Sequence, residues 1–154
     1  MSDLPQLTIQ QIAARANDTS FERGQNYYRQ GAIFAPVRRG GTLECYCAGS
    51  GPLPYHVMVE CADDAIITAS CTCPYDWGGD CKHVVALLLM FVHEPETFAE
   101  RPTLDELLAA HSKEALIALV KTLLRQAPQL MELVDPETPG LDEFLQAWDD
   151  DSEW

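Results

Sequence analysis

Hydrophobic and polar positions change period twice along this chain. TIQQIAARA, residues 8–16, spaces its apolar residues at helical intervals, with Thr8 placed as an N-cap. NDTS then interrupts the pattern. Ser20 is expected to cap a second helix, FERGQNYYRQ, ended by Gly31 and weakened in its middle by Gly24. From residue 32 the spacing shortens to alternation. AIFAPV, TLECYCA, YHVMVE and AIITASCTC are rich in β-branched and aromatic residues and are separated by RRGG, GSGPLP and CADD. This pattern predicts an antiparallel meander. In YHVMVE, Tyr55, Val57 and Val59 share one face, opposite His56, Met58 and Glu60.

Helical spacing returns at residues 82–92, where the sequence is apolar on nearly every side and so should be buried on nearly every side. HEPETFAERP reads as a loop. Thr103 and Glu106 have capping-box spacing ahead of TLDELLAA, and Ser112 precedes a longer helix, SKEALIALVKTLLRQ. Its stripe of Leu116, Leu119, Val120, Leu123 and Leu124 reads first as core and second as a partner face. PQLMELV predicts a short helix, LDEFLQAW a last amphipathic turn or two, and DDDSEW a solvated end. The expected fold is α+β: N-terminal helices, a small antiparallel sheet, a buried helix after its last strand, then an acidic helical segment. The expected division is residues 1–93 and 94–154.

Composition narrows the class. Hydrophobic residues make up 47% of the 154, enough for a core, and the longest apolar run, Val84 to Val92, is too short to span a bilayer. The net charge is −14: residues 1–90 hold six Lys/Arg against nine Asp/Glu, and residues 91–154 hold four against fifteen. Nucleic-acid binders normally carry the opposite sign, so nucleic acid is disfavoured and a partner of the acidic half should be basic. MSDLPQLTIQ has no basic segment leading into an apolar one, so a cytoplasmic, reducing setting is expected for the six cysteines.

Four chemistry-bearing residues crowd into CTCPYDWGGDCKH. Cys71 and Cys73 alternate at a strand end, so both sulfurs face one side. Their Cα atoms should lie about 6.6 Å apart, which strains a disulfide but suits two ligands of one metal. PYDWGGD, with Pro74, Gly78 and Gly79, favours a reversal that brings Cys81 and His83 back at a helix start. Three thiols and an imidazole make a Cys3His tetrahedron for zinc, closed to substrate water and therefore structural, one ion per chain. A redox dithiol would ordinarily use C-x-x-C spacing, which is absent. A catalytic zinc would need an open position and a base. Asp76 and Asp80 are the nearest acids and read more simply as turn residues.

At these residues the chain resembles the SWIM zinc-finger family, pattern CxCxnCxH, here with seven residues in the gap. CTCPYD followed by CKHVVALLL is similar to the bacterial branch, and FERGQNYYRQGAI is similar to the stretch preceding its strands; the likeness covers about residues 20–92. The resemblance implies a small zinc unit on a short sheet that binds proteins or DNA. Such units accompany Swi/Snf-type ATPases and other DNA-transaction proteins. No G-x-x-x-x-G-K-[ST] run occurs, so no P-loop ATPase lies within these residues.

The resulting expectation is a non-enzymatic module for protein contacts, without catalytic residues, small-molecule substrate or membrane association. The alternative is a nucleic-acid-binding module using Arg38, Arg39 and Lys82, with Arg29 nearby and Tyr27, Tyr28 and Tyr75 to stack on bases. Cys45 and Cys47 read as core; with His56 and Cys61 they could instead make a second metal site. His93 falls on a different helical face from His83, and His111 reads as a loop residue.

Overall fold

A computed structural model of the chain describes residues 4–137. They divide into two compact units between Glu106 and Leu107. The expected division after residue 93 falls instead just before a strand of the first unit's sheet. The segment LDEFLQAW and the end DDDSEW lie outside the described residues.

The first unit is a two-layer α+β fold. Helix α1 (Ile9–Arg15) begins with a complete capping box: the Gln11 amide donates to Thr8 Oγ1 at 3.2 Å, and the Thr8 amide donates to Gln11 Oε1 at 2.7 Å. Helix α2 (Asp18–Arg29) is capped by Asn17, whose Oδ1 accepts the Ser20 amide at 2.8 Å. Ser20, expected as the cap, sits inside the first turn and is buried. Asparagine caps at least as well as serine, so the helix starts three residues earlier. Gly31 follows the last turn at φ +70°, a left-handed position suited to glycine.

The strands β1 (Ile33–Arg39), β2 (Thr42–Cys47), β3 (Tyr55–Ala62) and β4 (Ala65–Cys71) form the expected antiparallel meander. Its register shifts between Phe34 and Val37, where Ala35 takes φ +48° beside Pro36. Proline has no amide to give a ladder, and a bulge accommodates it. A fifth strand, β5 (Ala99–Glu100), pairs parallel with β1 and sets the order β4-β3-β2-β1-β5. It lies in the stretch read as loop: two residues are too few to show a period, and the pairing is with residues some sixty positions earlier.

Helix α3 (Lys82–His93) lies against one face of this sheet. Leu43, Cys45 and Cys47 of β2 and Val57 and Val59 of β3 meet Val84, Val85, Leu87, Leu88 and Phe91, all buried. The nearly all-round apolar character of α3 is explained by α2 and α1 packing against it as well as the sheet. Gly24 sits at that crossing: a Cβ there would lie 2.3 Å from Val85 Cγ1. The glycine that weakens α2 as a helix is what lets α3 come close.

Helix α4 (Leu104–Ala109) follows, with Thr103 and Glu106 making the expected capping box. In the second unit, α5 (Lys113–Gln126) starts at Ser112, whose hydroxyl accepts the Ala115 amide at 3.2 Å. A short 3-10 turn (Pro128–Leu130) leads into α6 (Met131–Val134). The α5 stripe is not core: Leu119, Val120 and Leu123 are exposed. Helical period identifies an apolar face and cannot say whether anything covers it. Among the described residues no helix is long and apolar enough to cross a membrane.

Candidate metal centre

The end of β4, the loop 74–80 and the first turn of α3 bring Cys71, Cys73, Cys81 and His83 together, with one ligand atom from each within 4.8 Å of the others. His83 Nδ1 lies 3.6 Å from Cys71 Sγ and 3.8 Å from Cys81 Sγ. A tetrahedral ion with bonds of about 2.3 Å to sulfur and about 2.1 Å to nitrogen separates such atoms by about 3.6 Å. The spacing therefore fits one zinc ion held by four protein ligands. Cys81 is the N-cap of α3 yet makes no side-chain cap bond, which leaves its sulfur to the cluster.

Without an ion the three sulfurs do not all ionise. The neighbouring Cys71 thiol pulls Cys81 down to about 4 against the opposing effect of burial. Cys81 and burial push Cys71 up, and burial chiefly pushes up Cys73. Three crowded sulfurs share little negative charge by themselves, whereas a dication stabilises all three as thiolates. His83 is buried with Nδ1 toward the sulfurs; coordination through Nδ1 would leave the proton on Nε2, which has no hydrogen-bond partner among the described residues. The rings of Tyr27 and Tyr55 flank the imidazole at 5.4 and 4.8 Å. A buried imidazole aimed at thiols by its nitrogen, with its other face walled by aromatics, is oriented as a ligand rather than as a hydrogen-bonding core residue.

The loop is braced by residues that local reading of the sequence misses. Arg15, at the end of α1, grips Asp80 through Nε at 2.7 Å and Nη2 at 3.2 Å, and its carbonyl accepts the Asp80 amide at 2.8 Å. Gly78 and Gly79 turn the chain at φ +86° and +72°, and a Cβ on Gly79 would come 2.6 Å from the Arg15 carbonyl oxygen. The Tyr75 hydroxyl donates to the Gly78 carbonyl at 3.1 Å and accepts from Asn17, the N-cap of α2, and from Ser20 in its first turn. Thr72 ties the strand end to His56 at both its amide and its hydroxyl. Asp80 thus has a holding role and Asp76 is exposed; neither joins the cluster.

The other candidates are placed elsewhere. Cys45 and Cys47 are buried in the core, and burial pushes the Cys47 thiol up to about 12. His56 faces the opposite side of the sheet, against Tyr46 at 5.3 Å, so the second metal site does not form among the described residues. Arg38 is buried and paired with Glu100. Arg39 pairs with Glu44 at 3.2 Å and donates to the Pro102 carbonyl. Lys82 lies 4.5 Å over the Tyr27 ring. The Tyr28 hydroxyl donates to Glu94 at 2.6 Å, and its ring stacks on His93. The two arginines stand at the β1–β2 turn, the end of the hairpin away from Cys47, and form no common patch with Lys82 at the start of α3.

Comparison with known proteins agrees with this geometry. Residues 55–91 match the family model of the SWIM zinc finger, which covers β3, β4, the loop and most of α3. The chain is 28% identical over 137 residues to a zinc finger SWIM domain-containing protein 8 homolog of Drosophila melanogaster, covering 87% of this chain and 6% of that protein. It is 26% identical over 140 residues to zinc finger SWIM domain-containing protein 8 of Homo sapiens, covering 87% of this chain and 7% of that protein. The Bos taurus protein of the same name matches at 26%, with 10% of its length covered. The chain therefore spans about a tenth or less of the curated relatives it matches. No solved structure matches it. Residues 55–91 are thus similar to the SWIM zinc finger, and the cluster of Cys71, Cys73, Cys81 and His83 fits a structural zinc ion.

Proposed function

We propose that the chain is a non-enzymatic interaction module whose zinc, held by Cys71, Cys73, Cys81 and His83, stabilises a surface for a protein partner. The observation that carries this reading is the cluster itself: four protein ligands fill a tetrahedral site and leave no position for substrate or activated water. The metal joins β4 to α3, so its contribution is to folding. Six unbridged cysteines fit a reducing compartment such as the cytoplasm.

Protein is favoured over nucleic acid by the pairing of the arginines. Arg15, Arg38 and Arg39 each hold a carboxylate of the same chain, and the chain's charge of −14 repels a phosphate backbone. The test is fluorescence anisotropy of the zinc-loaded full chain with single- and double-stranded DNA, at low and near-physiological salt. No binding at either salt is expected. Binding that falls steeply with salt would overturn the protein reading in favour of a nucleic-acid module.

A further inference from the structure

A cleft of about 220 Å3 opens onto the zinc cluster, between α2, the loop 74–80 and the start of α3, with Cys73, Cys81 and His83 among its lining. Ser20 and Arg23 line it from α2, Tyr75 and Trp77 from the loop, Tyr55 from β3 and Lys82 from α3. Its outer part adjoins a hollow that shares Ser20, Arg23, Tyr75 and Trp77 and has one carboxylate, Asp18, on its lining. The cleft differs in charge from the rest of the chain. No carboxylate lines it, and among the described residues neither Arg23 nor Lys82 makes an ion pair, whereas Arg15, Arg38 and Arg39 all do. Trp77 stands 84% exposed at its rim, on a loop pinned by the Arg15–Asp80 clasp and the Tyr75 hydroxyl. A zinc ion with three thiolates carries about one negative charge. Two cations together with the N-terminal end of the α3 dipole outweigh it locally.

We propose that this cleft docks an acidic peptide segment of a partner protein, a carboxylate seating between Arg23 and Lys82 and a neighbouring apolar side chain lying on Trp77. The proposal rests on the protein-interaction reading and names the surface and the partner's chemistry. Charge complementarity selects an acidic occupant. Size selects a peptide: about 220 Å3 holds one or two side chains and falls below the roughly 300–1,000 Å3 of small-molecule sites. A nucleic acid would need several phosphate contacts, and two cations in a chain of −14 do not supply them. An exposed indole on a braced loop, with two cations on the same cleft, is the composition of an interface anchor.

The experiment selects a displayed library of random peptides against the immobilised, zinc-loaded full chain and measures the recovered peptides by anisotropy. Wild type is compared with Arg23→Glu, Lys82→Glu, Lys82→Met and Trp77→Ala, each checked for zinc content and helix signal. Arg23→Lys serves as the charge-keeping control. The expected peptides pair Asp or Glu with an aromatic or aliphatic residue. The charge reversals should weaken them at least tenfold at unchanged zinc content, and Arg23→Lys should largely restore binding. Peptides that bind all variants equally would overturn the cleft assignment and leave the protein-interaction reading standing. A single-stranded oligonucleotide that binds more tightly than any peptide, and loses binding in the reversals, would overturn both.

Discussion

Replacing Gly24 by alanine sets two physical effects against each other, and the structure says which one wins. In an isolated helix the change is favourable by about 1 kcal/mol, because glycine loses more backbone freedom on ordering. In the folded chain the new methyl would stand 2.3 Å from Val85 Cγ1, 2.5 Å from Val85 Cβ and 3.0 Å from the Lys82 carbonyl oxygen. Val85 is β-branched and fully buried, so it has little rotamer freedom with which to yield, and the Lys82 carbonyl is backbone. The helices must therefore move apart beside the zinc ligands. Overpacking of this kind costs about 1–3 kcal/mol or more. Gly24→Ala should thus destabilise by up to about 2 kcal/mol net of the propensity gain. Urea unfolding followed by far-UV circular dichroism at fixed free zinc measures the loss. Val85→Ala alone should destabilise by about 2 kcal/mol through a cavity, and the double variant should be somewhat more stable than the sum of the two losses, because alanine at 85 removes the Cγ1 clash at 2.3 Å while its Cβ, 2.5 Å from the new methyl, keeps part of it. A Gly24→Ala chain more stable than wild type, or strict additivity in the cycle, would refute the close crossing of α2 and α3.

Other consequences follow from the same packing. Cobalt substituted for zinc should give the visible spectrum of a tetrahedral thiolate-rich site, one ion per chain; Cys73→Ser should weaken its thiolate charge-transfer band, and chelation should cost part of the helix signal. Arg15→Ala or Asp80→Asn should lower zinc affinity roughly tenfold, since a partly buried, bidentate charged pair contributes about 1–2 kcal/mol to holding the ligand loop; competition with a chromogenic chelator reads this directly. Burial raises Cys61 to about 11. A raised folded value means that the stabilisation is complete below the unfolded thiol's pKa, near 9, and is lost as pH rises toward 11. Urea midpoints of the zinc-loaded chain should fall across that window, and Cys61→Ser should flatten the fall.

The zinc cluster was legible because its ligands lie within thirteen residues, where strand alternation, a glycine turn and a helix start act locally to aim them. The caps at Thr8, Thr103 and Ser112 were legible for the same reason: a side chain meeting an amide three residues on is a short-range event. The misreading of Ser20 as a cap shows the limit even there. Asn17 and Ser20 are both competent caps; Ser20 is buried, and its hydroxyl is taken by Tyr75, 55 residues away.

The amino-acid sequence by itself determined the α+β class, the meander, the buried third helix and which four residues gather in the Cys3His cluster, because each follows from periodicity or from spacing within a turn or two. Tertiary structure alone decided the rest. β5 is a strand only because β1 offers it an edge, and Arg38 is a paired core residue rather than a free cation only because that edge brings Glu100 alongside. Gly24 is a close contact rather than a weak point because Val85 crosses it, and the ligand loop is held because Arg15 reaches it from 65 residues away. The cleft beside the zinc exists only where α2, the loop and α3 meet. Hydrophobic period and turn chemistry act over a few residues, whereas burial, ion pairing and clefts depend on which surfaces the folded chain brings together.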